Sequence, residues 1–332
     1  MFKWIAALCI ALLLAACNVT PTPTPVPVTA TSSPVPPTST PVPPTASASP
    51  TVQIATITPT ATRMPTSTPA TTPTLPAGGV PRPDHVVVVI FENRAYSQII
   101  GNACCAYINQ QANASALLTQ SFGVTHPSQP NYLDLFSGSD QGVRSDACPP
   151  PGSPYSTPNL GQQLIDAGLT FAGFSEDLPA AGSTVCNTST YARKHNPWVN
   201  FSNVPASANL QFSSFPSDFT KLPAVSFVIP NLCNDMHDCP SSTGDAWLSS
   251  HLDGYIQWAK THNSLLILTF DEDNRLEGNR IVTFFEGPMV RVGQYGENIN
   301  HYNVLRTIEA MYGLPGVGQA ANAATITDIW IR

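Results

Sequence analysis

Short, continuous apolar runs constrain the fold of this chain more than any other feature of its sequence. Residues 85–91 read HVVVVIF, residues 225–229 read VSFVI and residues 264–270 read SLLILTF. These runs lack the alternation of a strand with one wet face and are typical of strands buried on both faces. Because helical patterns separate them, the sequence predicts an α/β fold with a mainly parallel sheet and helices on both faces.

The helical patterns lie between these runs. The clearest one precedes the run at 264–270, where apolar residues recur at helical spacing. Its apolar stripe consists of Trp247, Leu248, Leu252, Tyr255, Ile256 and Ala259. The other predicted elements are a helix at 159–167, strands at 169–174 and 279–287, and a helix at 301–313. Helix and strand therefore alternate along the chain, as a sheet covered on both faces requires.

The first 16 residues have the pattern of an export signal. One positive residue, Lys3, precedes an apolar run that ends at Ala16 and is too short for a comfortable membrane span. The small residues directly before Cys17 are typical of a lipoprotein signal, which predicts cleavage before Cys17 and lipidation of its thiol. An ordinary secretory peptide with an incidental cysteine is the alternative. Both interpretations predict an exported protein, and the first predicts one anchored to a membrane surface.

Residues 17–79 have a composition that cannot form a hydrophobic core. They consist almost entirely of Pro, Thr, Ser, Ala and Val, with a single charge at Arg63. Pro-rich chains of this kind favour an extended, polyproline-like conformation. We interpret the segment as a disordered, semi-rigid stalk that holds a domain away from the membrane. Residues 80–332 are then enough for one large domain.

Charge and cysteine content narrow the classes of function. The chain has 14 Lys and Arg against 21 Asp and Glu, and this net charge of −7 gives no indication of nucleic-acid binding. Of its 8 cysteines, Cys9 and Cys17 belong to the leader, and an even number in an exported domain indicates disulfides. Cys233 and Cys239 are the favoured pair, and the other pairings stay open. A zinc site is the competing interpretation, which the absence of a C-x-x-C pair disfavours.

Acidic residues follow two of the buried runs at the point where each run ends. Glu92 and Asn93 follow the first run, and Asp271 and Glu272 follow the run at 264–270. Ligands of open α/β sheets bind beyond the carboxyl ends of the strands, so we expect these four side chains to converge. Three carboxylates at one place repel each other unless a cation lies among them. Oxygen ligands suit Ca²⁺, Mg²⁺ or Mn²⁺ better than a thiolate-type zinc site, and solvated strand ends are the alternative.

Ser128 allows two interpretations. It follows Pro127, which keeps the preceding residue extended, and it lies where a helical pattern begins. Serine is a good helix N-cap, which is the structural interpretation. A helix N-terminus also attracts phosphate, and a serine there beside a metal can lose its proton and attack phosphorus. The predicted cation site next to it favours the second interpretation.

Two histidines complete the candidate site. His195 and His237 can donate a proton to a leaving oxygen or hold the phosphoryl group, with positive charge added by Arg193 and Lys194. Asn131 and Lys194 are the candidate substrate-binding residues. The other histidines fall into two groups: His126 and His301 are expected beside the site, and His85, His251 and His262 are expected to be structural.

Seven motifs occur in an order that resembles a known family. They read VVVVIFENRAYSQIIGN, THPSQPNYLDLFSG, YARKHNPWVNF, LPAVSFVIPNLCNDMHD, GDAWL, LLILTFDED and HYNVLRTIEAMYGLP. The chain from about Asp84 to Trp330 is similar to the acid phosphatase/phospholipase C phosphoesterase family, within the alkaline phosphatase-like superfamily. The resemblance implies an alkaline phosphatase-like fold and one divalent metal.

The resemblance also implies a role for each matching residue. The implied metal ligands are Glu92, Asn93, Ser128, Asp271 and Glu272, with Ser128 also the nucleophile. His195 and His237 are implied to contact the phosphoryl group or to act as acids. The sequence therefore predicts a metal-dependent acid phosphatase that hydrolyses phosphomonoesters, phosphoinositides among them, through a phosphoserine intermediate. A phospholipase C or other phosphodiesterase, and a non-catalytic stalked surface binding protein, are the alternatives.

Overall fold

The computed structural model describes residues 79–331. The predicted signal peptide, Cys17 and the predicted stalk up to residue 78 lie outside the described residues. Within the described part of the chain, no helix is both long enough and apolar enough to cross a membrane.

Eight strands form one mixed sheet whose order is β4-β3-β5-β1-β6-β7-β2-β8. Every pairing in it is parallel except those of β7, which runs antiparallel to β6 and to β2. The strands are β1 (His85–Phe91), β2 (Ala116–Phe122), β3 (Phe171–Ser175), β4 (Asn209–Gln211), β5 (Val225–Ile229), β6 (Ser264–Phe270), β7 (Arg280–Glu286) and β8 (Gly293–Asn300). The predicted mainly parallel α/β fold is confirmed.

Helices cover both faces of this sheet. The α-helices are α1 (Tyr96–Ile99), α2 (Ala106–Asn113), α3 (Ser128–Ser137), α4 (Leu160–Asp166), α5 (Ser241–Ala259) and α6 (His301–Met311). Strand β1 lies at the centre and is buried on both sides. Its residues Val86 and Val88 belong to the core that includes side chains of α3, α4 and α6. The intervening Val87 and Val89 belong to the opposite core, with α2 and α5.

The predicted elements agree with these bounds to within a few residues where the apolar run is continuous. Strands β5 and β6 begin and end where the sequence predicts them, and all six residues of the predicted stripe on α5 are buried. Three strands have no counterpart among the predicted strands: β2, β4 and β8. In β8 only Ile299 is fully buried, and the burial alternates residue by residue, as in an edge strand with one exposed face.

Two disulfides lie in the described part of the chain. The predicted bridge between Cys233 and Cys239 is confirmed, and a second bridge joins Cys148 to Cys186, 38 residues further along the chain. Cys104 and Cys105 are free thiols. Cys186 lies in the loop after β3, and Cys233 and Cys239 lie in the loop after β5. Both bridges therefore fix loops at the carboxyl ends of these strands, the edge of the sheet where the candidate site lies.

Candidate active site

The carboxyl ends of β5, β1 and β6 lie side by side, because these strands are parallel neighbours. Glu92 follows β1 and is fully buried, and its backbone N–H donates to the carbonyl oxygen of Asp235, in the loop after β5. Asn93 has a φ of +55°, a left-handed conformation that asparagine tolerates better than most residues. This turn lets the Asn93 backbone N–H donate to Asp271 Oδ1 at 3.0 Å. The two acidic pairs therefore meet, as predicted.

Ser128 is the first residue of α3, and Pro127 occupies the N-cap position. The serine hydroxyl caps nothing. Instead, Ser128 Oγ donates to Glu92 Oε2 at 3.0 Å, and the residue is 2% exposed. The N-cap interpretation of Ser128 is therefore wrong. A cap would turn its oxygen towards the N–H groups of the next helical turn, whereas this oxygen faces the acidic cluster.

Glu92 contacts several other side chains of the cluster. Its Oε1 accepts a hydrogen bond from the Tyr132 hydroxyl at 2.6 Å, and its Oε2 accepts one from Asn93 Nδ2 at 3.1 Å. Burial, together with the nearby carboxylates of Asp271 and Asp235, raises the pKa of Glu92 well above its usual range. The charged carboxylate therefore needs a compensating positive charge.

Asp271 and Glu272 point in different directions. Asp271 Oδ2 is buried and has no hydrogen-bond partner, and burial raises the pKa of Asp271 to about 6. Glu272 turns away towards His126, whose Nδ1 lies 2.8 Å from Glu272 Oε2. Burial, reinforced by Asp271, raises the pKa of Glu272 to about 9. Glu272 Oε2 is therefore directed to His126 and not to Asp271.

Asn131, a predicted substrate-binding residue, hydrogen-bonds to the loop before α3. Its Oδ1 accepts the backbone N–H groups of Val124 and Thr125 at 2.9 and 3.0 Å. Its Nδ2 donates to Thr125 O at 2.8 Å and to Glu272 Oε2 at 3.2 Å. These bonds fix the approach of the chain to Ser128.

His195 lies on the other side of Glu92. Its ring stacks on that of Tyr132, with the centroids 5.1 Å apart, and its Nε2 is 3.2 Å from Glu92 Oε1. Its Nδ1 is 3.2 Å from Asp235 Oδ2. Burial, with smaller contributions from Lys194 and His237, lowers the pKa of His195 well below its usual range. The imidazole is therefore neutral.

His237 and Lys194 form the more exposed side of the site. His237 Nδ1 lies 2.6 Å from Asp238 Oδ1, and Lys194 Nζ lies 3.2 Å from His237 Nε2 and 2.9 Å from Asp146 Oδ2. Because an ammonium group only donates, His237 Nε2 accepts here and Nδ1 carries the proton. Burial alone would lower the pKa of Lys194, but Glu92 and Asp146 outweigh burial and raise it.

The donor set fits a divalent cation. Glu92, His195 and His237 each offer one ligand atom, and these three atoms lie within 4.8 Å of one another. Buried polar atoms beside them lack hydrogen-bond partners: His195 Nε2, Asp235 Oδ2 and Asp271 Oδ2. Buried, unpartnered atoms of this kind are costly unless a ligand or an ion satisfies them. The cluster shares Glu92 with the predicted ligand set, and its two imidazoles are donors that the prediction did not assign to the metal.

A comparison with known families shows which family the chain belongs to. The model of the phosphoesterase family matches residues 102–315, which contain Ser128, both histidines, Asp271 and Glu272. The chain belongs to the phosphoesterase family. It is therefore a hydrolase of phosphate esters, and the resemblance seen in the motifs is confirmed.

Phosphoesterase relatives differ in how much of their length this chain spans. Phosphatidylinositol-3-phosphatase of Mycobacterium tuberculosis is 54% identical over 258 residues, which are 77% of this chain and 86% of the relative. A probable acid phosphatase of Kluyveromyces lactis is 28% identical over 263 residues, 73% of this chain and 61% of the relative. The match thus covers most of the bacterial relative and less than two thirds of the yeast one.

The fold also has a counterpart among solved structures. A protein of the alkaline phosphatase superfamily from Vibrio parahaemolyticus superimposes with a TM-score of 0.54 at 12% identity, covering 76% of this chain and 72% of that one. At this identity the likeness concerns the fold alone. It confirms the predicted alkaline phosphatase-like architecture.

Three residues of the phosphoesterase site were not predicted from the sequence. Tyr132 holds Glu92 and stacks on His195, but in the sequence it is one more apolar position of α3. Asp146 holds Lys194, and it also accepts the backbone N–H of Gln129 at 3.0 Å. Asp146 lies two residues before Cys148, whose disulfide to Cys186 fixes this loop near the site. The pairing of Cys148 was left open by the sequence, so its signal for Asp146 was not used. The third is Arg94, which donates to the carbonyl oxygens of Met236 and Cys239 and so fixes the loop that carries His237.

Proposed function

We propose that this protein is a phosphomonoesterase whose nucleophile is Ser128. The observation that carries the proposal is the direction of the serine hydroxyl. It lies at the N-terminus of α3, is free of capping, and hydrogen-bonds to Glu92 in a cluster of buried acids. Ser128 Oγ forms a bond to phosphorus as the ester P–O bond breaks, and its proton leaves along the hydrogen bond to Glu92. Water then hydrolyses the phosphoserine.

The two histidines take different parts in this proposal. His195 is buried and neutral, fixed between Tyr132, Glu92 and Asp235, so we assign it to holding the phosphoryl group. The His237 side chain is 28% exposed and lies where a leaving alcohol can depart. We assign it to protonating that oxygen from Nε2, after Nε2 has taken up a proton from Lys194 Nζ, 3.2 Å away. Lys194, 3.2 Å from His237, adds positive charge beside the transferred group.

We propose that one divalent cation, Ca²⁺, Mg²⁺ or Mn²⁺ rather than Zn²⁺, binds beside Glu92. Asn93, Ser128 and Asp271 are the proposed ligands from the oxygen side, with Glu272 behind them. His195 and His237 are the alternative donors, and a site built on these two imidazoles would suit Zn²⁺ better than the three ions proposed for the oxygen ligands. When bound, such an ion lowers the pKa of the serine hydroxyl and neutralises charge on the phosphoryl oxygens.

The substrate is proposed to be a phosphorylated small molecule or a phospholipid head group. Support comes from the 54% identical relative, whose name specifies phosphatidylinositol 3-phosphate. We also propose that the protein is exported and anchored through a lipid on Cys17, with residues 17–79 as the stalk. The two disulfides support export, because disulfides persist in oxidising compartments.

The experiment compares Ser128→Ala with Ser137→Ala in the protein made under oxidising conditions. Ser137 is buried on the same helix, where its hydroxyl bonds only to backbone carbonyls and to Gln141. We expect release of phosphate from a chromogenic monoester to fall about 10⁴-fold or more in Ser128→Ala and to persist in Ser137→Ala. Equal activity of wild type and Ser128→Ala would overturn the proposal. Turnover of a diester but not of a monoester would identify a phosphodiesterase, and binding without any turnover would identify a surface binding protein.

A further inference from the structure

A cleft beside the active site has no part in the mechanism described above. It has a volume of about 470 Å³ and is lined by Val124, Thr125, His126, Arg275, Gly278 and Asn279. Two of its residues, Thr125 and His126, are joined through Pro127 to the proposed nucleophile Ser128. His126 also contacts Glu272, which follows Asp271 of the site. A group bound in this cleft would therefore lie next to the phosphoryl group under attack.

Arg275 is the strongest charge in the cleft. Its side chain is exposed, and within the described residues no carboxylate lies within 4.0 Å of its guanidinium group. The nearest acids along the chain have other partners. Glu272 faces His126 and Asn131, Asp273 accepts backbone N–H groups, and Glu277 bonds to Ser97.

The loop that carries Arg275 is held in place. Asp273 Oδ1 accepts the backbone N–H of Arg275 at 2.6 Å, and Asp273 Oδ2 accepts those of Glu277 and Asn279 at 2.7 and 3.0 Å. Asn279 Nδ2 in turn donates to Thr125 O at 3.0 Å, across the cleft. Arg275 itself has a φ of +70°, which is unfavourable for a side chain of its size. The backbone of this loop is therefore fixed at the rim, while the exposed guanidinium group has no ion-pair partner and is suited to bind an anion from solution.

We propose that this cleft binds a second phosphate on the leaving group of the substrate, with Arg275 as its main contact. The inference rests on the proposed phosphomonoesterase function and narrows its substrate to a bisphosphorylated alcohol, such as a polyol that carries one scissile and one retained phosphate. A guanidinium group matches phosphate with two parallel hydrogen bonds. The volume of the cleft has room for the retained phosphate and part of the polyol.

Turnover of two substrates tests the inference. Arg275→Gln is compared with the control variant Arg291→Gln. Arg291 is exposed and precedes β8, at the amino end of that strand. We expect kcat/KM for a soluble inositol bisphosphate to fall about tenfold or more in Arg275→Gln, mainly through KM, with little change for a chromogenic aryl phosphate. Equal effects on both substrates, or no effect on either, would overturn the inference.

A binding measurement separates this inference from the proposed function. In the Ser128→Ala protein, calorimetry compares inositol bisphosphate with inositol monophosphate, with and without Arg275→Gln. We expect the second phosphate to tighten binding about tenfold or more and Arg275→Gln to abolish that gain. If the two ligands bind equally well, the inference is wrong even where catalysis is confirmed. If the gain is present in Ser128→Ala but the wild-type protein shows no turnover, the phosphomonoesterase function is the part that fails.

The retained phosphate can belong to a lipid or to a soluble metabolite, and Leu276 distinguishes the two sources. Leu276 follows Arg275 and is 80% exposed, so it can touch a lipid surface. We compare Leu276→Asn with wild type on a soluble inositol bisphosphate and on phosphatidylcholine vesicles that contain a phosphoinositide monophosphate. A loss on vesicles alone identifies a lipid head group as the bound anion. Equal rates of the variant and wild type on both substrates identify a soluble one.

Discussion

The domain contains two kinds of buried carboxylate. Glu309 on α6 and Glu286 on β7 each lie beside a basic side chain of the same fold: Arg306 Nη1 is 3.4 Å from Glu309, and Lys260 Nζ is 3.0 Å from Glu286. Burial raises the pKa of both to about 7. Glu92, also buried, lies instead among other acids, and its nearest described partners are a tyrosine, a serine and an asparagine.

This difference indicates what each group is for. Glu309 and Glu286 each have a basic partner within the fold, and removal of one member of such a pair leaves the other charge buried and unpaired. Buried acids that converge on one another destabilise the protein unless an ion joins them. Lys194 is the one lysine or arginine within reach that lowers the pKa of Glu92, and it is also shared with Asp146. The proposed divalent cation would supply the positive charge that Lys194 provides to Glu92 only in part.

Removal of metal is expected to show the largest difference between the acids around Glu92 and the buried acids that have a basic partner. We expect a chelator to reduce phosphomonoesterase activity to the background of Ser128→Ala, because the charges around Glu92 are then uncompensated. Activity should return on addition of Mn²⁺, Mg²⁺ or Ca²⁺, which a panel of single metals would rank. Full activity after exhaustive chelation, with metal content checked by mass spectrometry, would contradict a cation at Glu92.

Glu92→Gln keeps the shape of the side chain and removes its charge. We expect kcat/KM to fall by roughly 10³-fold, since the variant weakens both the cation site and the acceptor of the Ser128 hydrogen bond. The metal-free variant should also melt at a higher temperature than metal-free wild type, because one repelling charge is gone. Scanning calorimetry checks this second effect, and a lower melting temperature would show that Glu92 is a structural acid like Glu309.

Glu309→Gln is the matched change in the other group. Glu309 Oε1 accepts the backbone N–H of Val317 at 2.9 Å, which glutamine can still do, but its other oxygen faces Arg306. We expect a loss of about 1–2 kcal/mol in the free energy of unfolding, with activity unchanged within about twofold. Urea denaturation at constant slope measures the loss. A large fall in kcat with unchanged stability would place Glu309 among the functional acids.

A smaller effect concerns pH in the metal-free protein. The pKa of Glu272 is raised to about 9 in the folded state, while that of an unfolded glutamate is near its usual value of about 4.3. Between these values the folded chain binds more protons than the unfolded chain, so stability falls as the pH rises. From pH 7 to 9 the contribution of Glu272 alone should be at most about 1.4 kcal/mol per pH unit. Glu92 and Asp235, whose pKa values are also raised, add to the total loss, so the contribution of Glu272 is measured as the difference between wild type and Glu272→Gln.

Glu272→Gln provides the control for this pH effect. The variant should show a flatter stability curve than metal-free wild type over the same range, because glutamine does not titrate. Bound metal should flatten the wild-type curve in the same way. A steeper loss of stability in the variant would mean that other groups dominate this range.

The sequence predicted the parts of the fold and site that depend on continuous patterns. The run at β1 is buried on both faces, and its end places Glu92 and Asn93 in the site. Strand β8, which reads GQYGENIN, was missed because an edge strand with one exposed face needs no apolar run. The antiparallel direction of β7 depends on its partners, which local pattern does not specify.

Side-chain direction was the part of the site that the sequence could not give. Ser128 could have been a cap, and only the path of the chain at Pro127 turns its hydroxyl to Glu92. Glu272 is predicted as an oxygen ligand, and the sequence gives no sign that its Oε2 also contacts His126 and Asn131. Tyr132 reads as a core residue in a helix whose ten residues are all buried. These assignments depend on contacts between segments far apart in the sequence.

The most direct test of the account is to trap the covalent intermediate. Purified protein with metal would be mixed with a phosphomonoester, quenched in acid within milliseconds and digested for mass spectrometry. We expect a phosphoryl group on Ser128 that forms and decays within one turnover. Ser137→Ala should form the same intermediate on Ser128, and Ser128→Ala should form none. Steady turnover with phosphate on another residue, or on none at any quench time, would contradict Ser128 as the nucleophile.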